Sequence, residues 1–417
     1  MKRRAIWLLV LLFLGCAKVL PIYKIPDLSL GEPSFFPTIE AHTGAPIVGG
    51  NRVDILLNGD ETFPAMLEEI RKAQASITFA QYLYEDGPIA YALAEAFAER
   101  CRAGVAGHIL LDSHGSGKAP AEIPELMLQA GCYVEYFRRV EVPQVIFPWK
   151  LLRYNYRNHR RILVIDGRTG FTGGYGISAA WAGDGRTSDH WRETNVRMEG
   201  PVVQHLQGGF VDSWLETTGI VLGGDAYFPP LEPRGKVAAQ IVKSSPVGGS
   251  FQNYMLFLLS ITSARKSILI TNPYFLPDDR IIEALIEAVE RGVQVIVLVP
   301  AKIDHPITYR ASRSNYGRLL LGNIQIYEYL PALLHAKTMV VDDVWATIGS
   351  TNIDNRSFAL NEELNITVYN RALAQRLEQI FYADLKHSRK VSYEQWRSRG
   401  LKEKLFELFA FPIKEQL

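Results

Sequence analysis

Two short stretches of this sequence place a histidine two residues before a cation and directly ahead of an apolar run. His159 and Arg161 stand in NHRRILVIDG, and His335 and Lys337 stand in LHAKTMVVDD, 176 positions later. Side chains at i and i+2 of an extended strand lie on the same face. Each pair is therefore predicted to present an imidazole beside a positive charge. That combination suits a phosphate ester, because the cation attracts the anionic oxygens while the imidazole attacks phosphorus or transfers a proton.

Further polar residues recur in register after each histidine. Asp166 and Asp342 follow the two histidines by seven residues. Both are candidate members of the catalytic motif, but their place at the far end of the strand favours a structural hydrogen-bonding role over proton transfer. Glu193 and Glu363 lie on a later predicted strand, each two residues before an asparagine. A carboxylate there is suited to accept an imidazole Nδ1–H and fix the tautomer.

Small residues follow both motifs, in TGGYGIS and GSTNID. Gly173 and Gly349 occupy equivalent places, and Ser350 and Asn352 stand just after the second glycine. Small residues let backbone N–H groups approach an anion closely. We therefore expect Gly173, Ser350 and Asn352 to support substrate binding.

The chain repeats one α/β unit. AQASITFAQYLY at 73–84 aligns with ARKSILITNPYF at 264–275, and in each copy an amphipathic helix and a second apolar strand follow. Strand, helix, strand is the order of a parallel α/β unit. A core needs only apolar residues of suitable size, so core packing does not explain the same histidine twice in one register. The repeat therefore favours a functional role for both histidines, in a single site shared by the two halves.

The expected architecture is two α/β domains with mixed sheets flanked by helices. Domain 1 spans 45–221 and carries His159, and domain 2 spans 241–390 and carries His335. A segment rich in Gly and Pro, 222–240, is the predicted linker, and 391–417 is predicted to be a C-terminal helical segment. A pseudo-twofold axis between the domains would bring both histidines to one phosphorus.

Composition narrows the classes of function. The 417 residues are 47% hydrophobic and 21% charged, as expected for two globular domains. The net charge of +1 gives no support to general electrostatic capture of nucleic acid. No CxxC pair or HExxH motif indicates a metal site. His108, Asp112 and His114 alternate near a strand end without a further ligand of suitable spacing, although His114 is predicted to line the mouth of the pocket.

The first 20 residues predict a targeting segment. MKRR is followed by the short apolar run AIWLLVLLFLG and by Cys16. The run suits a signal peptide, with Cys16 as a candidate lipidation site in a lipoprotein signal, or else an uncleaved membrane anchor. Either interpretation predicts membrane association. In an exported chain Cys101 and Cys132 either form a disulfide bond or remain buried thiols.

The pattern HxKxxxxD followed by GSxN resembles the signature of the phospholipase D superfamily. This sequence is similar to two-copy members, and among them to the bacterial cardiolipin synthase group, from LLNGDETFPAMLEEI at 56–70 to LNEELNI at 360–366. The second copy is complete. The first copy departs twice, with Arg161 in place of the usual lysine and Gly176 in place of the usual asparagine.

The resemblance implies a phosphatidyl transfer that needs neither metal nor cofactor. One histidine forms a covalent phosphatidyl-histidine, and the other protonates the leaving alcohol and then deprotonates the acceptor. Arg161 and Lys337 would stabilise charge on the phosphoryl oxygens. The expected donor is phosphatidylglycerol and the acceptor is a second phospholipid, and phosphatidylethanolamine is a further candidate substrate.

Three alternatives remain open. Water in place of the acceptor would give a phospholipase D, a nucleic acid substrate would give a nuclease, and a disabling effect of Arg161 would leave a lipid-binding protein. The favoured interpretation is a monomeric cardiolipin synthase at the membrane surface of a bacterial envelope. We expect it to be anchored through Cys16 and to face the periplasm or the exterior.

Overall fold

A mixed sheet of 15 strands runs through the computed structural model, which describes residues 24–139, 155–246, 251–304 and 306–400. Helices cover both faces of the sheet. The strands are β1 (Val48–Leu57), β2 (Ser76–Gln81), β3 (Ala106–Asp112), β4 (Tyr133–Phe137), β5 (Ile162–Ile165), β6 (Thr169–Gly173), β7 (Thr194–Glu199), β8 (Val237–Ser244), β9 (Ser267–Thr271), β10 (Gln294–Pro300), β11 (Gln325–Tyr329), β12 (Thr338–Val341), β13 (Trp345–Gly349), β14 (Glu363–Tyr369) and β15 (Ser388–Lys390).

The α-helices described lie mainly between these strands. They are α1 (Phe35–Thr43), α2 (Asn58–Lys72), α3 (Pro88–Arg102), α4 (Glu122–Gln129), α5 (Val202–Thr218), α6 (Gln252–Ser263), α7 (Asp279–Glu290), α8 (Pro306–Ser314), α9 (Tyr316–Leu321), α10 (Arg371–Leu385) and α11 (Tyr393–Arg397). None of these described helices is both long and apolar enough to cross a membrane.

The strand order repeats on the two sides of the sheet's centre. Outward from the middle, the first half is ordered β1-β7-β6-β5-β2-β3-β4 and the second β8-β14-β13-β12-β9-β10-β11, with β15 added at the edge. At the centre β1 pairs antiparallel with β8, as a twofold relation between the halves requires. The two predicted mixed sheets are thus joined edge to edge into one.

Each half begins with the expected parallel unit. Strand β2 pairs in parallel with β3 and β3 with β4, and β9, β10 and β11 repeat this pattern. These strands read as continuous apolar runs because helices bury both of their faces. The first-half helices α2, α3 and α4 cover one face, and α5 and α10 cover the opposite face across both halves.

A hairpin follows in each half and carries the motif aspartates. Asp166 and Gly167 in the first hairpin, and Asp342 and Asp343 in the second, have positive φ and lie in three-residue connections, since Ile165 pairs with Thr169 and Val341 with Trp345. The Asp166 carboxylate accepts backbone N–H bonds from residues 74, 75 and 76, and Asp342 accepts them from residues 265, 266 and 267. Both aspartates thus fasten a hairpin turn to the start of the neighbouring strand. This position fits the structural hydrogen-bonding role expected of both aspartates, and neither lines the cleft described below.

The described elements can be compared with the predicted domain limits. Strand β8 begins at Val237, inside the predicted linker 222–240, because its pairing with β1 starts there. Helix α1 precedes the predicted start of domain 1 and packs with buried Phe35 and Ile39 into the core of the second half. Residues 1–20 with Cys16, and residues 401–417 of the C-terminal segment, lie outside the described residues.

Cys101 and Cys132 form a disulfide bond, with their Cα atoms 5.4 Å apart. The bond joins the end of α3 to the residue before β4. Both side chains are nearly buried, and a Cβ added at Gly107 would lie 2.4 Å from Cys101 Sγ. A glycine is therefore needed beside the bond. Of the two states left open by the sequence, the structure has the disulfide.

Candidate active site

His159 and His335 line one cleft of about 480 Å³ between the two halves. Strand β5 begins at Ile162 and β12 at Thr338, so each histidine and its cation precede the strand on which they were predicted to lie. The cleft is lined by Tyr82, Leu83, His114, Asn155, Arg157, His159, Arg161, Trp181, Trp191, Tyr274, Asp304, His335, Asn352, Asp354, Arg356 and Asn361. His114 lies at the cleft, as the sequence predicted.

Each histidine is held by the glutamate of the opposite half. His159 Nδ1 lies 2.9 Å from Glu363 Oε1, and His335 Nδ1 lies 2.6 Å from Glu193 Oε2. The backbone makes the same exchange, because the N–H of His159 donates to the carbonyl of Glu362 and that of His335 to the carbonyl of Arg192. Neither imidazole is thus positioned by its own half alone.

Arg161 and Lys337 each contact the imidazole of their own half. Arg161 Nη2 is 3.0 Å from His159 Nε2, and Lys337 Nζ is 2.9 Å from His335 Nδ1 and 3.0 Å from His335 Nε2. Both cations are about 2% exposed. Burial lowers the pKa of Arg161, and it lowers the pKa of Lys337 to about 7 with a further contribution from Arg161. An anion in the cleft would compensate this desolvation cost.

The two glutamates differ in charge state. Burial alone would raise the pKa of Glu193, but Lys337, His335 and hydrogen bonds outweigh it and bring this pKa to about 2. Burial raises the pKa of Glu363 to about 8 despite the opposing effects of Ser350 and Arg161. The site therefore has an ionised carboxylate behind His335 and a carboxyl group behind His159 that holds its proton more readily.

The surroundings of both imidazoles disfavour their cationic forms. Burial, followed by the charge of Lys337, lowers the pKa of His335 to about 4. Burial, followed by the charge of Arg161, lowers the pKa of His159 well below its usual range. Neutral imidazoles with an unprotonated nitrogen are thus available for attack, and protonation requires additional negative charge.

The glycine loops support the site through packing and not through free N–H groups. A Cβ at Gly173 or Gly349 would lie 2.2 Å from the Oδ1 of Asn195 or Asn365. The same Oδ1 atoms accept the backbone N–H bonds of Gly174 and residues 175 and 351. The expectation that these loops present N–H groups to an anion is therefore wrong for those donors. Asparagines of β7 and β14, each two residues after a glutamate of the site, thus hold the loops in place.

The second-half loop adds polar side chains around the His159–Glu363 pair. The Ser350 hydroxyl donates to Glu363, and Asn361 Nδ2 lies 3.3 Å from the same carboxylate. Asn352 and Asn361 line the cleft, and their Oδ1 atoms have no hydrogen-bond partner among the described residues. These two amides can bind substrate without breaking an existing bond to that oxygen.

Sequence reasoning missed several residues of the cleft. Trp181 and Trp191 flank His335, with ring centroids 5.1 and 5.3 Å from it, and Tyr82 lies edge-on to His159 at 4.9 Å. Asp354 lines the cleft as well, and burial raises its pKa to about 7. Trp191 stands two residues before Glu193, and Asn361 stands two residues before Glu363. Aligning the two glutamates therefore pairs these two positions, although their residue types differ.

Comparisons with known proteins agree with this geometry. A family model described as cardiolipin synthase, PLD-like domain, matches residues 258–385. The major cardiolipin synthase of Bacillus subtilis strain 168 is 35% identical over 357 residues, covering 84% of this chain and 72% of the relative. This chain belongs to the cardiolipin synthase family of the phospholipase D superfamily. The resemblance identified from the paired motifs is thereby confirmed.

Other members of the family extend the match. Cardiolipin synthase A of Pseudomonas putida is 32% identical over 361 residues, covering 84% of this chain and 71% of the relative. The fold is similar to the crystal structure of phosphatidylserine synthase from Haemophilus influenzae, with a TM-score of 0.69 at 14% identity over 92% of this chain and all of that one. The expected α/β fold with mixed sheets flanked by helices is confirmed, with the sheets of the two halves joined into one large sheet.

Proposed function

We propose that this protein is a phosphatidyltransferase that forms cardiolipin from phosphatidylglycerol and a second phospholipid through a covalent phosphatidyl-histidine. The observation that carries the proposal is the pairing of two glutamate-held imidazoles with two buried cations in one cleft. A nucleophile and a proton carrier are both needed for a two-step transfer. Membership of the cardiolipin synthase family supports the choice of substrates.

His159 is the proposed nucleophile. Arginine has no acceptor atom and keeps its proton, so the 3.0 Å contact from Arg161 Nη2 places an N–H donor at the Nε2 lone pair of His159. The proton of this imidazole then lies on Nδ1, toward Glu363. When the phosphodiester enters, the guanidinium turns its N–H groups to the phosphoryl oxygens and frees Nε2 for attack.

His335 is the proposed acid and base. A lysine whose pKa is about 7 can lose its proton and accept one from a neighbour, so Lys337 tolerates a proton on His335 Nε2 as arginine would not. The ionised Glu193 stabilises an imidazolium. The negative charge of a bound phosphodiester adds to this effect and raises the pKa of His335 and Lys337.

The transfer then balances in two steps. His159 Nε2 forms a bond to phosphorus as the bond to the glycerol oxygen of the departing headgroup breaks, and His335 gives that oxygen its proton. The acceptor hydroxyl next gives its proton to His335, and its oxygen attacks phosphorus as the nitrogen–phosphorus bond breaks. Arg161 balances the charge on the phosphoryl oxygens throughout, and Lys337 does so in its protonated form. Asn352 is the proposed additional ligand of the phosphoryl group, and Gly173, Ser350, Glu193 and Glu363 support the site.

The proposed setting is the membrane surface of a bacterial envelope, where Cys16 anchors a monomer that faces the periplasm or the exterior. The disulfide bond between Cys101 and Cys132 supports this location, because such bonds persist in oxidising compartments. Thiol alkylation of protein taken from whole cells, before and after reduction, tests it. Labelling of both cysteines only after reduction is expected, and labelling without reduction would contradict the location.

A product assay tests the function. Purified protein is incubated with phosphatidylglycerol vesicles, with and without phosphatidylethanolamine, and the lipids are identified by mass spectrometry. Cardiolipin is the expected product, and the His159→Ala/His335→Ala variant is the matched inactive control. Phosphatidic acid alone would establish hydrolysis in place of transfer. Cleavage of DNA without lipid turnover would contradict both lipid activities.

A further inference from the structure

The glycine loops of the two halves differ by a compensating exchange of large and small side chains. Gly176 stands where the second half has Asn352, and Trp181, five residues after Gly176, stands where the second half has Ser357. In the second half the N–H of Asn352 donates to Ser357 Oγ at 3.1 Å. In the first half a Cβ at Gly176 would lie 2.8 Å from the Trp181 ring. The indole thus fills the space that a side chain at 176 would need.

The indole of Trp181 also donates a hydrogen bond to Glu193, as Ser350 does to Glu363 in the second half. In the second half the Ser350 hydroxyl donates to Glu363. Its counterpart is Gly174, where a Cβ would lie 2.6 Å from Glu193 Oε1 and leaves no room for a serine. Trp181 Nε1 instead lies 3.4 Å from Glu193 Oε2, the oxygen that contacts His335 Nδ1.

The same ring limits the orientation of the imidazole. Trp181 is about 3% exposed, and its ring is perpendicular to that of His335 at a centroid distance of 5.1 Å. Trp191 packs against Trp181 at 4.1 Å and so fixes the indole from its other side. The imidazole therefore has an aromatic neighbour on its flank and a fixed carboxylate at Nδ1. Trp181 contributes to both constraints, together with the ring of Trp191 beside His335 and the Thr194 N–H that donates to Glu193 Oε1.

We propose that Trp181 is a positioning residue for His335, replacing in the first half both the hydroxyl of Ser350 and the side chain of Asn352. The role rests on the proposed function, in which His335 carries the proton. Glycine at 176 is then a requirement of the tryptophan and not a loss of function in the first motif. Trp181 acts through Glu193 and through the ring contact, and its effect falls on turnover more than on lipid binding.

The first test separates the N–H from the ring. Trp181→Phe keeps an aromatic ring and removes the donor, so kcat is expected to fall about tenfold, the effect of losing a hydrogen bond to a charged group, with KM changed less than twofold. Trp214→Phe is the matched control, since Trp214 is buried in the core and does not line the cleft. Equal kcat values for Trp181→Phe and Trp214→Phe would overturn the proposal.

The second test transplants the second-half arrangement. Gly176→Asn alone forces a side chain into the indole and is expected to lower kcat at least a hundredfold. Adding Trp181→Ser removes that conflict, so the double variant should recover to the level of Trp181→Phe, in which Glu193 also lacks the hydrogen bond from the indole. A double variant no more active than Gly176→Asn would contradict the exchange. So would full activity of Gly176→Asn.

A readout without turnover keeps this proposal separate from the proposed function. In protein labelled with ¹⁵N-histidine, the Nδ1–H proton of His335 is assigned from its absence in His335→Ala. It is expected to exchange with water faster in Trp181→Phe than in wild type and in Trp214→Phe. If wild type makes no cardiolipin but this signal behaves as stated, the function is wrong and the positioning role stands. An unchanged exchange rate in Trp181→Phe would overturn the role even in an active transferase.

Discussion

His159 and His335 occupy equivalent places in the two halves, yet different side chains surround them. Polar groups of Ser350 and Asn361 donate to Glu363 beside His159, whereas two indoles flank His335 beside the ionised Glu193. The backbone exchange between the halves is the same for both. The duplicated fold thus gives the two histidines equivalent backbone positions. The side chains around them differ, and this difference makes His159 the proposed nucleophile and His335 the proposed proton carrier.

The cations reinforce the same difference. Arg161 cannot take a proton from an imidazole, whereas Lys337, with a pKa of about 7, can. The arginine that departs from the family pattern is therefore consistent with a histidine that stays neutral before it attacks. A symmetric pair of lysines would leave this distinction to the glutamates alone.

The largest expected effect separates the two histidines. His159→Ala and His335→Ala should each lower phosphatidyl transfer by at least about a thousandfold. With a nitrophenyl phosphodiester, whose leaving group needs no proton, His335→Ala should recover a burst of one nitrophenolate per enzyme. His159→Ala should release none. The reverse pattern, measured by rapid-mixing absorbance, would exchange the two roles.

The glutamates should differ by a smaller factor. Glu193→Gln removes a negative charge and is expected to lower kcat about a hundredfold. Glu363, whose pKa is raised to about 8, carries a proton in much of the population at neutral pH, so Glu363→Gln mimics its prevailing state and should cost less than tenfold. Steady-state rates at pH 7 compare the two variants directly. Equal losses would show that the two carboxylates have the same charge.

The pH profile should report the charge of Lys337. This group has a pKa lowered to about 7 in the free enzyme and loses its positive charge above that pH, so kcat/KM should fall as pH rises through about 7. Lys337→Arg should move this basic limb upward, because arginine stays charged. A limb that does not move would assign it to another group, such as Asp354.

The reciprocal change is expected to be mild. Arg161→Lys keeps the charge and restores the usual residue of the family motif, so activity at pH 6 should equal or exceed that of wild type. Rates at pH 6 for wild type and Arg161→Lys are the measurement. Complete loss would show that the arginine has a role of its own at His159 Nε2.

The smallest expected effect on catalysis concerns the hairpin aspartates. Asp166→Ala and Asp342→Ala each leave three backbone N–H groups without their acceptor. Each should lower the free energy of unfolding by about 2–3 kcal/mol, seen as a lower Tm, while kcat changes less than twofold. Asp→Asn variants, which keep one acceptor and tolerate positive φ, should lose less. A large loss of kcat without loss of stability would return these residues to the catalytic set.

Much of the site follows from local repetition in the sequence. The two histidines, their cations and the glutamates recur at matching positions, and the strand, helix, strand order places each motif at a sheet. Local pattern failed where a partner came from elsewhere in the chain. The backbone N–H groups of the glycine loops bond to Asn195 and Asn365, and no spacing in TGGYGIS or GSTNID reveals that.

The sequence by itself determines the duplication, the chemistry of the paired motifs and the family. Only the tertiary structure decides that β1 and β8 join the two sheets, that Glu363 holds His159 while Glu193 holds His335, and that Trp181 occupies the space beside Gly176. The physical reason is that a repeated sequence pattern specifies the strands and helices of each half. The contacts between residues distant in sequence depend on how those elements pack together. Gly176, which departs from the first motif, makes room within its own half for the ring of Trp181.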